Sequence, residues 1–99
     1  METTQGSVKD YCEVKTNFPE ADFWLTRRGS ITTVGKPSKA FNAESIGIKV
    51  TRTDLLLPDF LYYLMEYRFM GGYWKERATG TTNLVNIRTK DVLAVPLTS

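Results

Sequence analysis

The side chains able to do chemistry in this 99-residue chain are cations set among small polar residues. Arg27 and Arg28 run into Gly29-Ser30, Lys36 and Lys39 flank Pro37-Ser38, and Lys75 and Arg77 lead into Thr79-Gly80-Thr81-Thr82-Asn83. Guanidinium and ammonium groups supply affinity for phosphate, while hydroxyl and amide groups fix register on a nucleic-acid backbone. Arginine also pairs two-pronged with the major-groove edge of guanine. On this reading Arg27 and Arg28 reach a base edge or a phosphate, and Lys36, Lys39, Lys75 and Arg77 contact phosphates. Ser30, Thr79, Thr81, Thr82 and Asn83 add neutral hydrogen bonds. The competing account is a solvated surface with scattered charges, in which Arg27 and Arg28 mark a hairpin corner.

Other chemistry is poorly supplied. The chain has no histidine, the commonest general base and metal ligand. Its single cysteine, Cys12, allows neither an intramolecular disulfide nor a thiolate metal site. It reads as a small apolar residue rather than a nucleophile. Asp54, Asp59 and Glu66 read as helix-start and surface carboxylates. No cofactor, no metal and no enzymatic activity are expected.

Composition frames these residues. Apolar residues make up 41% and charged residues 24%, an ordinary globular balance for one domain over residues 1–99. Residues 1–24 hold two lysines against five carboxylates, whereas residues 25–99 hold eleven cations against six. No apolar run is long enough to span a membrane, and the acidic start at Met1-Glu2-Thr3-Thr4-Gln5 is no secretory signal. A cytoplasmic protein is therefore expected. Twelve aromatic residues exceed what a core this small encloses. The surplus points to use at a surface or in a homodimer.

The elements that must position these side chains can be read in order. Residues 1–8 lack periodicity and are expected to be mobile. Tyr11–Lys15 alternates as a half-buried strand does, and Phe23–Arg27 is a second strand. Arg28-Gly29-Ser30 turns into a third, Ile31–Val34, making a hairpin with a Gly-Ser corner. Gly35–Lys39 is a loop. Ser45–Thr51 predicts a strand with Ile46, Ile48 and Val50 toward the core, and with Gly47 allowing close approach on the other face. Pro58 at the first helical position and Asp59 beside it open one clear helix, which Gly71-Gly72 ends. Two of its stripes, Leu57/Leu61/Leu64/Arg68 and Phe60/Leu64/Tyr67/Met70, are assigned to core packing. Then come a short helical piece over Tyr73–Ala78, a polar glycine loop, a strand at Leu84–Ile87, a turn capped by Thr89, and an extended Ala94–Leu97. The expected fold class is α+β: a small twisted, mostly antiparallel sheet with one main helix packed on it.

Several segments carry a resemblance in the same order. Pro58-Asp59-Phe60-Leu61-Tyr62-Tyr63-Leu64, then Ala78-Thr79-Gly80-Thr81-Thr82-Asn83, Asn86-Ile87, Asp91-Val92 and Val95-Pro96-Leu97 resemble the target-recognition domain of the DNA specificity subunits of type I restriction–modification enzymes. That family shows a "PDFLYYLL"-like helix, an "ATGTTQ"-like loop, an "NI" strand and a "KDLKNIPIPLP"-like ending. Phe23–Ile31 with Val34-Gly35-Lys36 is similar to its "DILITRKGSIGRVGK" segment, and Asp10–Thr16 to its "GDICEIKTG" start. The resemblance spans about residues 8–97. Three features depart from the pattern. Only Asn17–Asp22 stands where the family carries a longer insert. Thr32 and Thr33 replace the glycine after Ser-Ile. The long helices that dock methyltransferase subunits have no counterpart, which fits a small stand-alone chain.

The resemblance implies a minimal target-recognition domain that binds double-stranded DNA, while methyl transfer and cleavage belong to other subunits. The alternative is a protein-interaction module that docks a methyltransferase or another restriction component, as decoy, regulator or accessory of a bacterial or phage defence complex. It would use Tyr62, Tyr63, Tyr67, Phe69, Tyr73 and Trp74, since Tyr, Trp and Arg are the usual interface anchors.

Overall fold

The computed structural model describes residues 6–81 and 83–97. It is an α+β fold built on two antiparallel sheets rather than the single sheet expected. Strands β1 (Cys12–Thr16), β2 (Phe23–Leu25), β4 (Pro37–Ser38) and β5 (Ile46–Val50) form a four-stranded sheet in the order β1-β5-β2-β4. Strands β3 (Arg28–Gly29), β6 (Thr79–Thr81) and β7 (Leu84–Asn86) form a three-stranded sheet in the order β3-β7-β6. The main helix α1 spans Pro58–Met70, and a short helix α2 spans Thr89–Leu93.

Central strand β5 follows its alternation. Ile46, Ile48 and Val50 are buried in the core, and Gly47 is buried on the opposite face. There the Trp24 indole N–H donates to the Phe18 carbonyl at 2.9 Å. A Cβ on Gly47 would stand 2.8 Å from the Phe18 Cβ and 2.9 Å from that of Ala21, so only glycine lets this layer close. Asp22 extends the edge, its carboxylate accepting the Val50 N–H at 2.8 Å.

Four further expectations need correction. Ile31–Val34 is not a strand: Ser30 accepts the N–H groups of Thr33 and Val34, winding residues 31–35 into a turn. The antiparallel partner of β2 is displaced toward Pro37-Ser38, with Trp24 opposite Ser38 and Leu25 opposite Pro37. The strand preference of Ile, Thr and Val yields here to hydroxyl hydrogen bonds and to Gly35 at φ +87°. The mobile start does not extend through residue 8. Val8 is fully buried and donates to the Val95 carbonyl at 3.0 Å, and Ser7 bridges to Pro96. Residues 1–5 lie outside the described residues. Helix α2 is entered one residue earlier than expected, with the Asp91 carboxylate accepting the Arg88 N–H at 2.8 Å.

The fourth correction concerns α1. Its buried residues are Leu61 and Met65, joined in the core by Leu56, and the Tyr62 ring meets Phe23 edge-on at 5.3 Å. The stripe assigned to the core through Phe60, Tyr67 and Met70 faces solvent instead. The helix is apolar nearly all round, so its periodicity names no inner face; contact with the sheet does.

Candidate nucleic-acid interface

The three-stranded sheet gathers residues from two distant parts of the sequence. Arg28 stands opposite Asn86, and Asn86 opposite Thr79, so the three form one row across β3, β7 and β6. In the adjoining pairing Val85 lies between Gly29 and Gly80, and Val85 is buried. Side chains alternate along a strand, so the face opposite Val85 carries Arg28, Asn86 and Thr79, with Thr81 and Leu84 in a following row. All five are exposed, Leu84 at 78%. Asn83 is exposed at the β6–β7 turn, and Thr82 lies outside the described residues. Gly80, at φ +126°, brings β6 so close to the Leu84 carbonyl that a Cβ would overlap it. The threonine-glycine segment, expected as a loop, is therefore strand β6 of a hairpin over Thr79–Thr81, and Thr79 and Thr81 stay exposed.

Beside this face lies a cleft of about 390 Å3 lined by Thr16, Arg27, Arg28, Asn86, Ile87, Arg88 and Thr89. Three arginines line it, in different states. Arg27 is anchored: its Nε donates to the Glu44 carbonyl at 2.8 Å, its Nη2 meets the Glu44 carboxylate at 3.0 Å, and its side chain is only 25% exposed. Its own carbonyl accepts the Ile87 N–H at 2.8 Å, continuing the β3–β7 pairing. Arg88 leans on the Asp91 carboxylate at 3.4 Å. Arg28 makes no hydrogen bond or ion pair among the described residues. Free and exposed, it is the cation best placed to meet an anion.

The other sequence candidates are dispersed. Ser30 is spent within its own turn, its hydroxyl lying 2.9 Å from that of Thr32 and 3.1 Å from that of Thr33. Lys36 is exposed, its carbonyl accepting the Thr26 N–H. Lys39 sits at the start of α1, 3.1 Å from the Asp59 carboxylate and 4.8 Å above the Tyr62 ring. The bond to Asp59 raises its pKa above the usual lysine value. Lys75 borders a small pocket of mixed polarity with Ile31, Thr32, Val34, Phe69, Met70 and Trp74. Arg77 stacks 3.8 Å over the Tyr73 ring and donates to the Tyr73 carbonyl. The sheet thus brings Arg28, Thr79 and Thr81 together, but not Lys39, Lys75 or Arg77 with them. Among the aromatic residues expected at a surface, Trp74 is buried.

Sequence reasoning missed Thr16, Asn86 and Thr89 as parts of the cleft, and assigned no contact to Arg88, legible only as a cation beside small polar residues. Arg88 follows the Asn86-Ile87 strand directly, a signal available without coordinates. Its nearness to Arg28 depends on the β3–β7 pairing, which no local pattern announces. Compared with known proteins, the chain matches no family model, no curated protein and no solved structure.

Proposed function

We propose that this chain is a non-catalytic DNA-binding module of the target-recognition type found in type I restriction–modification specificity subunits. The observation that carries the reading is the row Arg28–Asn86–Thr79 on an exposed sheet face, continuous with the arginine cleft. A β-ribbon fits the major groove, where arginine reads guanine and asparagine reads adenine through paired hydrogen bonds. Arg88 and the hydroxyls of Thr16 and Thr89 then take the adjoining phosphates, with Lys36 as a further contact. Because Arg27, Lys39 and Arg77 are already engaged within the fold, about three cationic contacts remain, from Arg28, Arg88 and Lys36. Such a number lowers affinity by about one and a half decades between 50 and 200 mM salt.

Fluorescence anisotropy against a random-sequence duplex at those salt concentrations tests the reading. Micromolar or tighter binding that weakens steeply with salt supports it; no binding at the lowest salt, or a flat profile, rejects it. One observation favours the second reading, a module that docks a methyltransferase or another restriction component: α1 presents large apolar side chains to solvent. Capture of such a subunit without DNA affinity favours that alternative. No helix among the described residues is long and apolar enough to cross a membrane.

A further inference from the structure

Strand β1 is the longest edge strand among the described residues, five residues against two or three in β3, β4 and β6. It pairs with β5 on one side only. Which of its backbone groups face the open side follows from β5. The Val50 N–H is taken by the Asp22 carboxylate and the Ile48 carbonyl accepts the Asp22 N–H, both away from β1, whereas the Thr51 N–H donates to the Tyr11 carbonyl. Backbone groups alternate sides along a strand. Gly47 and Lys49 therefore bond to β1, and Glu13 and Lys15 turn their own groups toward β5. Cys12, Val14 and Thr16 aim their N–H and C=O groups outward, and none of these groups has a hydrogen-bond partner among the described residues. Such a row is a template for another strand, and edges are commonly blunted by charges or proline. Here the charges are balanced: Glu13 and Lys15 stand 3.3 Å apart on one face of β1, 52% and 53% exposed. Val14 is half-buried on the other face.

We infer that β1 pairs along this edge with β1 of a second copy, antiparallel, with the two-fold axis through Val14. Backbone parity and charge select the same register. With Val14 opposite its own counterpart, Cys12 faces Thr16 of the second copy, so the outward groups meet as hydrogen-bonded pairs, about six bonds in all. Glu13 then falls opposite Lys15 of the second copy in the intervening non-bonded pairs, where Cα atoms approach to ~4.5 Å and side chains are closest. Each carboxylate lies between its own lysine and the other chain's. Opposite charges take neighbouring corners of a square and like charges its diagonals. A slip by one residue turns the outward groups away from each other. A slip by two restores the hydrogen bonds but sets Glu13 against Glu13 or Lys15 against Lys15, which is destabilising. On the other face the two half-buried Val14 side chains meet. The contact is self-complementary, as two-fold symmetry requires, and joins both four-stranded sheets into one.

Sedimentation equilibrium without DNA, from ~5 to ~300 µM, reads the association directly, because mass action moves the mass with concentration. The expected mass rises toward twice the 11.3 kDa of the chain. Glu13→Lys and Lys15→Glu each fill the square with one sign of charge and should each weaken association at least ~10-fold, with unchanged circular dichroism since both side chains are exposed. The double variant Glu13→Lys/Lys15→Glu restores the alternation and should recover the association. Amide exchange locates the contact: the Val14 N–H should slow at least ~10-fold from the low to the high end of the range, while that of Lys15, bonded to β5, is protected throughout. A chain that stays single across the range overturns the inference and leaves the edge to an extended segment of another protein. So does a dimer whose Val14 amide stays open, or a double variant no tighter than the singles. The Arg28–Asn86–Thr79 row belongs to the other sheet, so these outcomes stand apart from DNA binding.

Discussion

Gly35 lies against the indole of Trp74. At φ +87° its Cα is pressed to the pyrrole edge, and a Cβ there would overlap the ring. Trp74 is buried behind it, and Val34 beside it is fully buried. The turn over residues 31–35 is thereby clamped to the segment following α1. Gly35→Ala adds both an overlap and a strained backbone, so a loss of about 2–4 kcal/mol is expected, read as a lower urea midpoint with unchanged slope.

The two faces of α1 should respond differently to truncation. Leu61→Ala opens a cavity in a fully buried position and should cost about 3 kcal/mol. Phe60→Ala and Tyr67→Ala, measured at low protein concentration, should stay within about 0.5 kcal/mol of the parent. Thermal unfolding of the three variants checks this ordering.

Salt dependence separates free cations from engaged ones. Arg28→Ala and Lys36→Ala should each weaken DNA binding and reduce the salt slope by about one, whereas Lys39→Ala should leave the slope unchanged. Lys39 is held by Asp59 and Arg28 has no such partner among the described residues. Anisotropy titrations over the same salt range measure all three slopes.

Cys12 should be a slow thiol. Burial first, and the nearby Asp22 carboxylate second, push its pKa from the usual 9.0 up to about 12. Thiolate is the reactive form, so alkylation at pH 8 should be at least ~100-fold slower in the folded protein than in urea. The sign for stability follows from the raised value: the folded state favours the neutral thiol. Its contribution is complete below pH 9 and is lost as the pH rises toward 12.

Local punctuation was the legible part of this fold. Pro58 and Gly71-Gly72 bound α1, and the strict alternation through Ile46, Ile48 and Val50 marks β5 with its inner face. Ile31–Val34 misleads because its β-branched residues favour a strand, while the Ser30, Thr32 and Thr33 hydroxyls satisfy the backbone and each other in a turn. The inner face of α1 was illegible for another reason: apolar residues on both sides leave no contrast for a period to report.

The candidate site divides in the same way. Arg28 beside a glycine, and threonines around Gly80, are visible as types and spacing. The bonds that remove Arg27 and Lys39 from the pool of free cations run to Glu44 and Asp59, seventeen and twenty positions away. Such pairings are set by tertiary packing between distant segments, so they follow from the topology and not from neighbouring residues.

The chain's first and last described segments meet. The Leu97 N–H donates to the Gly6 carbonyl at 3.0 Å, and the Val8 N–H to the Val95 carbonyl at the same distance. The path thus enters and leaves at one point, with Val8 and Val95 both sealed inside. That seam can close only once residues 95–97 have left the ribosome. The same geometry makes the unit portable: spliced into a surface loop of another protein, it would hang from a single point and leave the host's own path nearly undisturbed.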